Sequence, residues 1–167
     1  MPDQLAIRDA EERDLPAILD IYNEVILHTT AVYSEEPHTL KMRREWYLDR
    51  IQNGFPVLVA SAGDEIVGFC SFGHFRIWPC YRYTAELSLY VNDRHRGKGI
   101  GREMLQTLIC KAKEMEIHAL IAGISADNIP SIKLHLSAGF TEVAHFYQVG
   151  YKFDRWLDLK FFELLIR

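Results

Sequence analysis

The sequence predicts a mixed α/β fold: a mostly antiparallel central sheet with helices on both faces. Three observations lead there. Short apolar runs separated by turn residues pair off as hairpins at 56–75 and 140–166. Two strand-helix-strand passages lie between them. The remaining apolar residues recur at helical spacing.

The elements follow in order. Residues 4–10, QLAIRDA, read as a first strand. Asp14 is placed to cap a helix with Pro16 in its first turn, and Leu15, Ile18, Leu19, Tyr22, Val25 and Ile26 give it one apolar face. A second helix starts near Thr39 and runs to about Asn53; its pattern, Leu40, Met42, Trp46, Tyr47 and Ile51, is less clean. PVLVASA, the turn GDE and IVGFCSFGHF form a hairpin. Residues 76–83, RIWPCYRY, break the pattern as a loop rich in aromatic and cationic side chains. TAELSLYV is the next strand, with Glu86, Ser88 and Tyr90 on one face and Leu87, Leu89 and Val91 on the other. A glycine-rich loop and a long helix follow. ALIAGIS is a strand, Asn128 precedes a short helix near Pro130 to Ala138, and Gly139 suits its end. FTEVAHFYQVG and RWLDLKFFELLI close the chain as a hairpin. The expected order is β-α-α-β-β-β-α-β-α-β-β.

The chain has 167 residues, 49% apolar and 25% charged. That suits one domain over 1–167 with a sizeable core. No run of about 18 or more apolar residues is present, so no membrane span is expected. The start, MPDQLAIRDAEERD, is acidic and lacks a signal peptide's basic and apolar regions, which points to the cytoplasm. A net charge of -4 disfavours a nucleic-acid partner. Cys70, Cys80 and Cys110 are odd in number and form no C-x-x-C pair. They read as buried or half-buried free thiols; neither a disulfide framework nor a metal site is expected.

RHRGKGIGR, residues 94–102, sets three glycines and four Arg or Lys cations between a strand and a helix. A helix N-terminus offers unpaired N–H groups and a partial positive charge. Glycines let backbone approach a bulky anion, and Arg96, Lys98 and Arg102 add cations, so the loop can cradle a pyrophosphate. It is not G-x-x-x-x-G-K-[ST], and Gly97, Gly99 and Gly101 read G-x-G-x-G rather than the dinucleotide fingerprint. The competing reading is a solvated basic turn.

Arg96-x-x-Gly99-x-Gly101 after a strand ending at Val91 resembles the acetyl-CoA signature of the GNAT superfamily of N-acetyltransferases. ADNIPSIKLHLSAGF resembles that superfamily's downstream segment, with Asn128, Ser131, Gly139 and Phe140 matching. The resemblance implies a GNAT fold. It also implies acetyl-CoA as co-substrate. The backbone of Leu89, Tyr90 and Val91 would pair with the pantetheine arm, and Arg96, Gly97, Lys98, Gly99, Ile100 and Gly101 would bind the pyrophosphate. Asn128 and Ser131 would touch the pantetheine end. YTAELSLYV, RGKGIG, IKLHLSAGF and QVGYKFDRWLDLKFFEL are similar to the phosphinothricin and methionine sulfoximine acetyltransferase branch, whose members acetylate the α-amine of small amino-acid analogues. A homodimer is implied by the same resemblance.

Acetyl transfer needs a neutral amine, a stabilised oxyanion and a proton for the thiolate. Glu86 is the candidate base, acting directly or through water, if desolvation raises its pKa; the alternative is an exposed strand carboxylate. A backbone N–H near Val91 would meet the oxyanion. His135 takes the place where many GNAT enzymes carry a Tyr. An imidazole of pKa about 6.5 can protonate a thiolate whose thiol is near about 8.5; the alternative is a core histidine. Substrate contacts are expected from Phe75, Arg76, Ile77, Arg82, Tyr83, Ala85, Glu86 and Leu87. Arg76 and Arg82 would clamp the carboxylate of a zwitterion, while Trp78, Tyr81 and Tyr83 wall the pocket. The branch usually has Trp where Phe75 stands. The hairpin 147–156, with Lys152 and Arg155, is expected to edge the pocket, Trp156 serving core and dimer packing. Rival readings are acetylation of a protein N-terminus, polyamine or aminoglycoside, a non-catalytic acyl-CoA-binding module, and a thiol hydrolase using Cys80 with His74.

Overall fold

A computed structural model describes residues 4–167. The elements are β1 (Leu5–Asp9), α1 (Leu15–His28), α2 (Leu40–Gln52), β2 (Val57–Ala62), β3 (Glu65–His74), β4 (Thr84–Val91), α3 (Ile100–Glu114), β5 (Ala119–Ser125), α4 (Ile129–Ser137), β6 (Thr141–Lys152) and β7 (Arg155–Leu165). Their order is the expected one. Short 3-10 turns intervene at 12–14, 79–81 and 93–95.

The strands form one seven-stranded sheet in the order β1-β2-β3-β4-β5-β7-β6. Only β4 and β5 run parallel; every other neighbouring pair is antiparallel. Period-2 alternation sends β4 residues to two faces. Ala85 and Leu87 join the core beneath α3, which buries Ile100, Met104, Leu105 and Leu108. On the other face, Phe69 and Val59 pack with Leu15, Ile18 and Ile21 of α1, and Tyr90 and Trp46 lean on that cluster. Helices therefore cover both faces, as the sequence predicts.

Three local expectations need correction. Asp14 does not cap α1 with its side chain. Its carboxylate takes two bonds from the Arg8 guanidinium, at 2.7 and 2.9 Å, and one from the Glu11 N–H at 2.8 Å. A charge-assisted pair outbids a single cap bond. Cys70 is buried, but Cys80 and Cys110 are exposed. The terminal hairpin is longer than its apolar runs, because Phe153 and Asp154 both adopt left-handed backbone, φ 54° and 56°, and close a two-residue turn matched to strand twist.

Candidate active site

The site begins where the sheet opens. β4 and β5 pair only from Thr84 to Glu86, against Ala119 to Ile121. Beyond that point β5 stays paired with β7 as far as Ser125, while β4 stays paired with β3 as far as Val91. The β4 edge from Leu87 to Val91 thus faces β5 without a ladder partner. Glu86 stands at the vertex.

The opening widens into a groove of about 700 Å³. Ten of the eleven residues expected to hold the coenzyme border it. They are Leu89, Tyr90 and Val91 on β4, Arg96, Gly97, Gly99, Ile100 and Gly101 at the start of α3, and Asn128 and Ser131 at the start of α4. Lys98 is exposed and does not border it. Gly97 and Gly99 hold φ of 74° and 82°, a conformation that side chains resist. The first helical bond of α3 runs from the Glu103 N–H to the Gly99 carbonyl, and no side chain caps the helix. The N–H groups of Ile100, Gly101 and Arg102 are thereby left for a ligand. Gly101 answers to packing instead: a Cβ there would sit 3.3 Å from Leu134 Cδ2. Asn128 caps α4 by accepting from the Ser131 N–H at 3.3 Å.

The far wall joins the end of α1, whose role is not legible in the sequence, to the β6–β7 hairpin, which was expected to edge the substrate pocket and borders this groove instead. Thr29, Thr30 and Ala31 follow α1, and Phe153 and Arg155 sit on the β6–β7 hairpin. Arg155 pairs with Asp127 at 2.6 Å, and Thr30 donates to the same carboxylate at 2.9 Å. Lys152 is buried and donates to the carbonyls of Ile26, Thr29 and Val32 at 2.6, 2.7 and 2.9 Å. It ties the hairpin tip to the end of α1.

On the α1–α2 face lies a second cavity, of about 540 Å³, bordered by Glu86 and Tyr90 together with Arg43, Arg50, His38 and His74. Burial raises the Glu86 pKa, and the Arg50 charge opposes that rise. Glu86 pairs with Gly73 of β3, and a Cβ at Gly123 of β5 would lie 3.5 Å from its Oε1. Neither neighbour carries a side chain to cover the carboxylate.

Other expected site residues stand elsewhere. Leu87 borders the cavity, but Ala85 is buried in the α3-side core. Arg76, Ile77, Arg82 and Tyr83 are exposed; Arg76 lies over Phe75, and Arg82 lies over Tyr83 and donates to the Pro79 carbonyl at 3.3 Å. Neither arginine reaches the cavity in this chain, so the expected carboxylate clamp is not assembled there. His135 is buried, edge-on to Phe140, and borders neither cavity. Its Nδ1 lies 2.8 Å from the Ser131 carbonyl, which can only accept, so Nδ1 carries the proton. Burial lowers its pKa. A neutral ring with that proton committed has none to give a thiolate, and this arrangement does not support the expected acid role.

Comparison with known proteins places the chain in company. Residues 7–160 match the acetyltransferase (GNAT) domain family. An L-methionine sulfoximine/L-methionine sulfone acetyltransferase of Salmonella typhimurium is 44% identical over 160 residues, covering 96% of this chain and 94% of that protein. A phosphinothricin N-acetyltransferase of Streptomyces coelicolor is 30% identical over 163 residues, covering 96% and 95%. An acetyltransferase structure from Salmonella typhimurium, solved with its cofactor acetyl-CoA, superposes with a TM-score of 0.95 at 43% identity, covering 98% and 94%.

Proposed function

The chain belongs to the GNAT acetyltransferase family, and from that premise we propose how its residues divide the work of an acetyl-CoA-dependent N-acetyltransferase. The acceptor is the α-amino group of a small amino-acid analogue such as methionine sulfoximine, methionine sulfone or phosphinothricin, the substrates named for its relatives. Acetyl-CoA lies along the groove. Its pantetheine arm pairs with the free edge of β4 at Leu89–Val91, and its pyrophosphate meets the N–H groups at the start of α3 and the Arg96 side chain.

Transfer is direct, in a ternary complex. Glu86, itself or through one water, takes a proton from the substrate ammonium. The neutral amine attacks the thioester carbonyl; the N–C bond forms and the C–S bond breaks. As the tetrahedral intermediate collapses, the nitrogen gives up its second proton, which passes through solvent water to the departing thiolate, so that coenzyme A leaves as the thiol; a groove-side N–H of β4 near Val91 steadies the oxyanion. His135 serves as a positioning residue, holding α4 through the Ser131 carbonyl. The observation that carries this reading is the place of Glu86, a carboxylate with a raised pKa where β4 and β5 part. A coenzyme A release assay tests it: methionine sulfone, methionine sulfoximine and phosphinothricin should turn over well above polyamines and peptides. A preference for polyamine or peptide would reject the acceptor.

We further propose that the whole chain acts as one domain, in the cytoplasm, as a homodimer. β6 is one of the two outer strands of the sheet, and Phe146, Tyr147, Val149, Tyr151 and Trp156 of the terminal hairpin are exposed. An apolar strand edge of this kind calls for a partner, and a second copy supplies a matching one. Sedimentation equilibrium should return twice the chain mass of 19.4 kDa; a monomer at micromolar concentration would refute the pairing.

A further inference from the structure

We propose that Arg43 and Arg50, on α2, bind the substrate's α-carboxylate in the cavity they share with Glu86. This rests on the reading of the acceptor as an amino acid.

Arg43 is 4% exposed. Its guanidinium carbon lies 4.0 Å from the centre of the Tyr22 ring and 4.4 Å from that of Trp46. Its one side-chain hydrogen-bond partner beyond those rings is His38 Nδ1 at 3.0 Å, and its Nε is buried without a partner. Among the described residues it has no ion pair within 4.0 Å. Burial and the Arg43 charge both lower the His38 pKa, so His38 is a neutral acceptor and supplies no negative charge. Arg50 flanks the same indole at 5.8 Å. Its side chain lies against Gly73, where any Cβ would collide with the guanidinium. Its ion pair with the exposed Asp49 is long, at 3.7 Å, and its Nε is also buried and unpartnered.

Burying a cation without an anion is costly, so such cations are ordinarily paired or lost. Here two border one cavity that also carries Glu86 and Glu45. Glu45 is exposed on the rim and faces Lys41 at 3.9 Å, and Glu86 is needed for the amine. A carboxylate from outside completes the balance. A zwitterion then fits in one sense only, with its ammonium toward Glu86 and its carboxylate beneath α2. Guanidinium forks suit a carboxylate better than a point charge would. Two cations in the cavity also discriminate against polyamines.

Methionine sulfone and its primary carboxamide separate the charge from the rest of the molecule. Their kcat/KM ratio would be measured on the wild type, Arg43→Gln, Arg50→Gln and an Arg76→Gln/Arg82→Gln double variant. The wild type should favour the acid. Arg43→Gln and Arg50→Gln should each shrink the ratio by about ten- to a hundredfold, chiefly through KM for the acid. The double variant should keep the wild-type ratio. If buried Arg43 proves indispensable for folding, the half-buried Arg50→Gln decides. Wild type active on both compounds with no preference, unchanged ratios in the α2 variants, or loss of the preference in the double variant would each overturn the clamp alone. A wild type that acetylates neither removes the acceptor reading and the clamp with it.

Discussion

Replacing Glu86 with Gln is expected to lower kcat by about 10²- to 10⁴-fold, the usual contribution of a positioned base, and to leave the KM for acetyl-CoA unchanged. Glu86 borders the α2-side cavity and not the groove, so the coenzyme site should not register the change. The pH profile sharpens the expectation. Burial raises the Glu86 pKa and Arg50 restrains the rise. In the wild type, kcat/KM should climb with pH through a step above the ordinary carboxylate range, and that step should vanish in Glu86→Gln. Stability should move the other way. With its folded pKa above the unfolded one, the folded state holds the proton more tightly. Its contribution is therefore full below the unfolded pKa and declines as pH rises through the folded value. At neutral pH the Gln variant should be at least as stable to urea as the wild type. Unchanged turnover, or a persisting step, would take Glu86 out of the reaction.

The second large effect is expected at Lys152. Changing it to Met removes the donor shared by the Ile26, Thr29 and Val32 carbonyls. A buried acceptor left unpaired costs about 1–3 kcal/mol, and of these three the Ile26 bond is buried and the other two half-buried, so a loss on the order of 3 kcal/mol is expected in urea denaturation. The damage should not stay local. Thr29 and Thr30 wall the groove opposite α3, and Phe153, beside Lys152, closes it from the hairpin with φ of 54°. A bulky residue keeps a left-handed backbone only where its surroundings hold it there. The KM for acetyl-CoA should therefore rise while kcat at saturation changes little. Wild-type stability in Lys152→Met would show that the anchor carries no weight.

The fold was legible because its elements obey simple periods: β4 alternates, α1 and α3 repeat apolar residues, and the glycine-rich loop marks the junction between β4 and α3. The groove was legible because loop and strand are contiguous in sequence. The cavity under α2 was not, because it joins α2 to β3 and β4 across long separations. One signal was available. The inward stripe of α2 is Arg43, Trp46, Tyr47 and Arg50, at i, i+3, i+4 and i+7, while Leu40, Met42 and Ile51 are exposed. Seeking apolar residues there made the helix look irregular, when arginines hold two core-facing places. The exposed excursion at 76–83 is the more conspicuous cationic segment, and the expected clamp rests on it, on arginines that do not border the cavity. His135 illustrates a different gap: sequence position gives a ring its neighbours along the helix, not its tautomer or burial.

The sheet's opening has a mechanical side. Only three residue pairs stitch the four strands β1–β4 to the three strands β5–β7. A slender pantetheine arm lying in the slot would act as a splint between these half-sheets, stiffening the molecule when thioester and amine must be held in register. The slot also turns its unsatisfied backbone inward, between strands and beneath α3 and α4. A stray polypeptide cannot add itself there as it could at an outer rim.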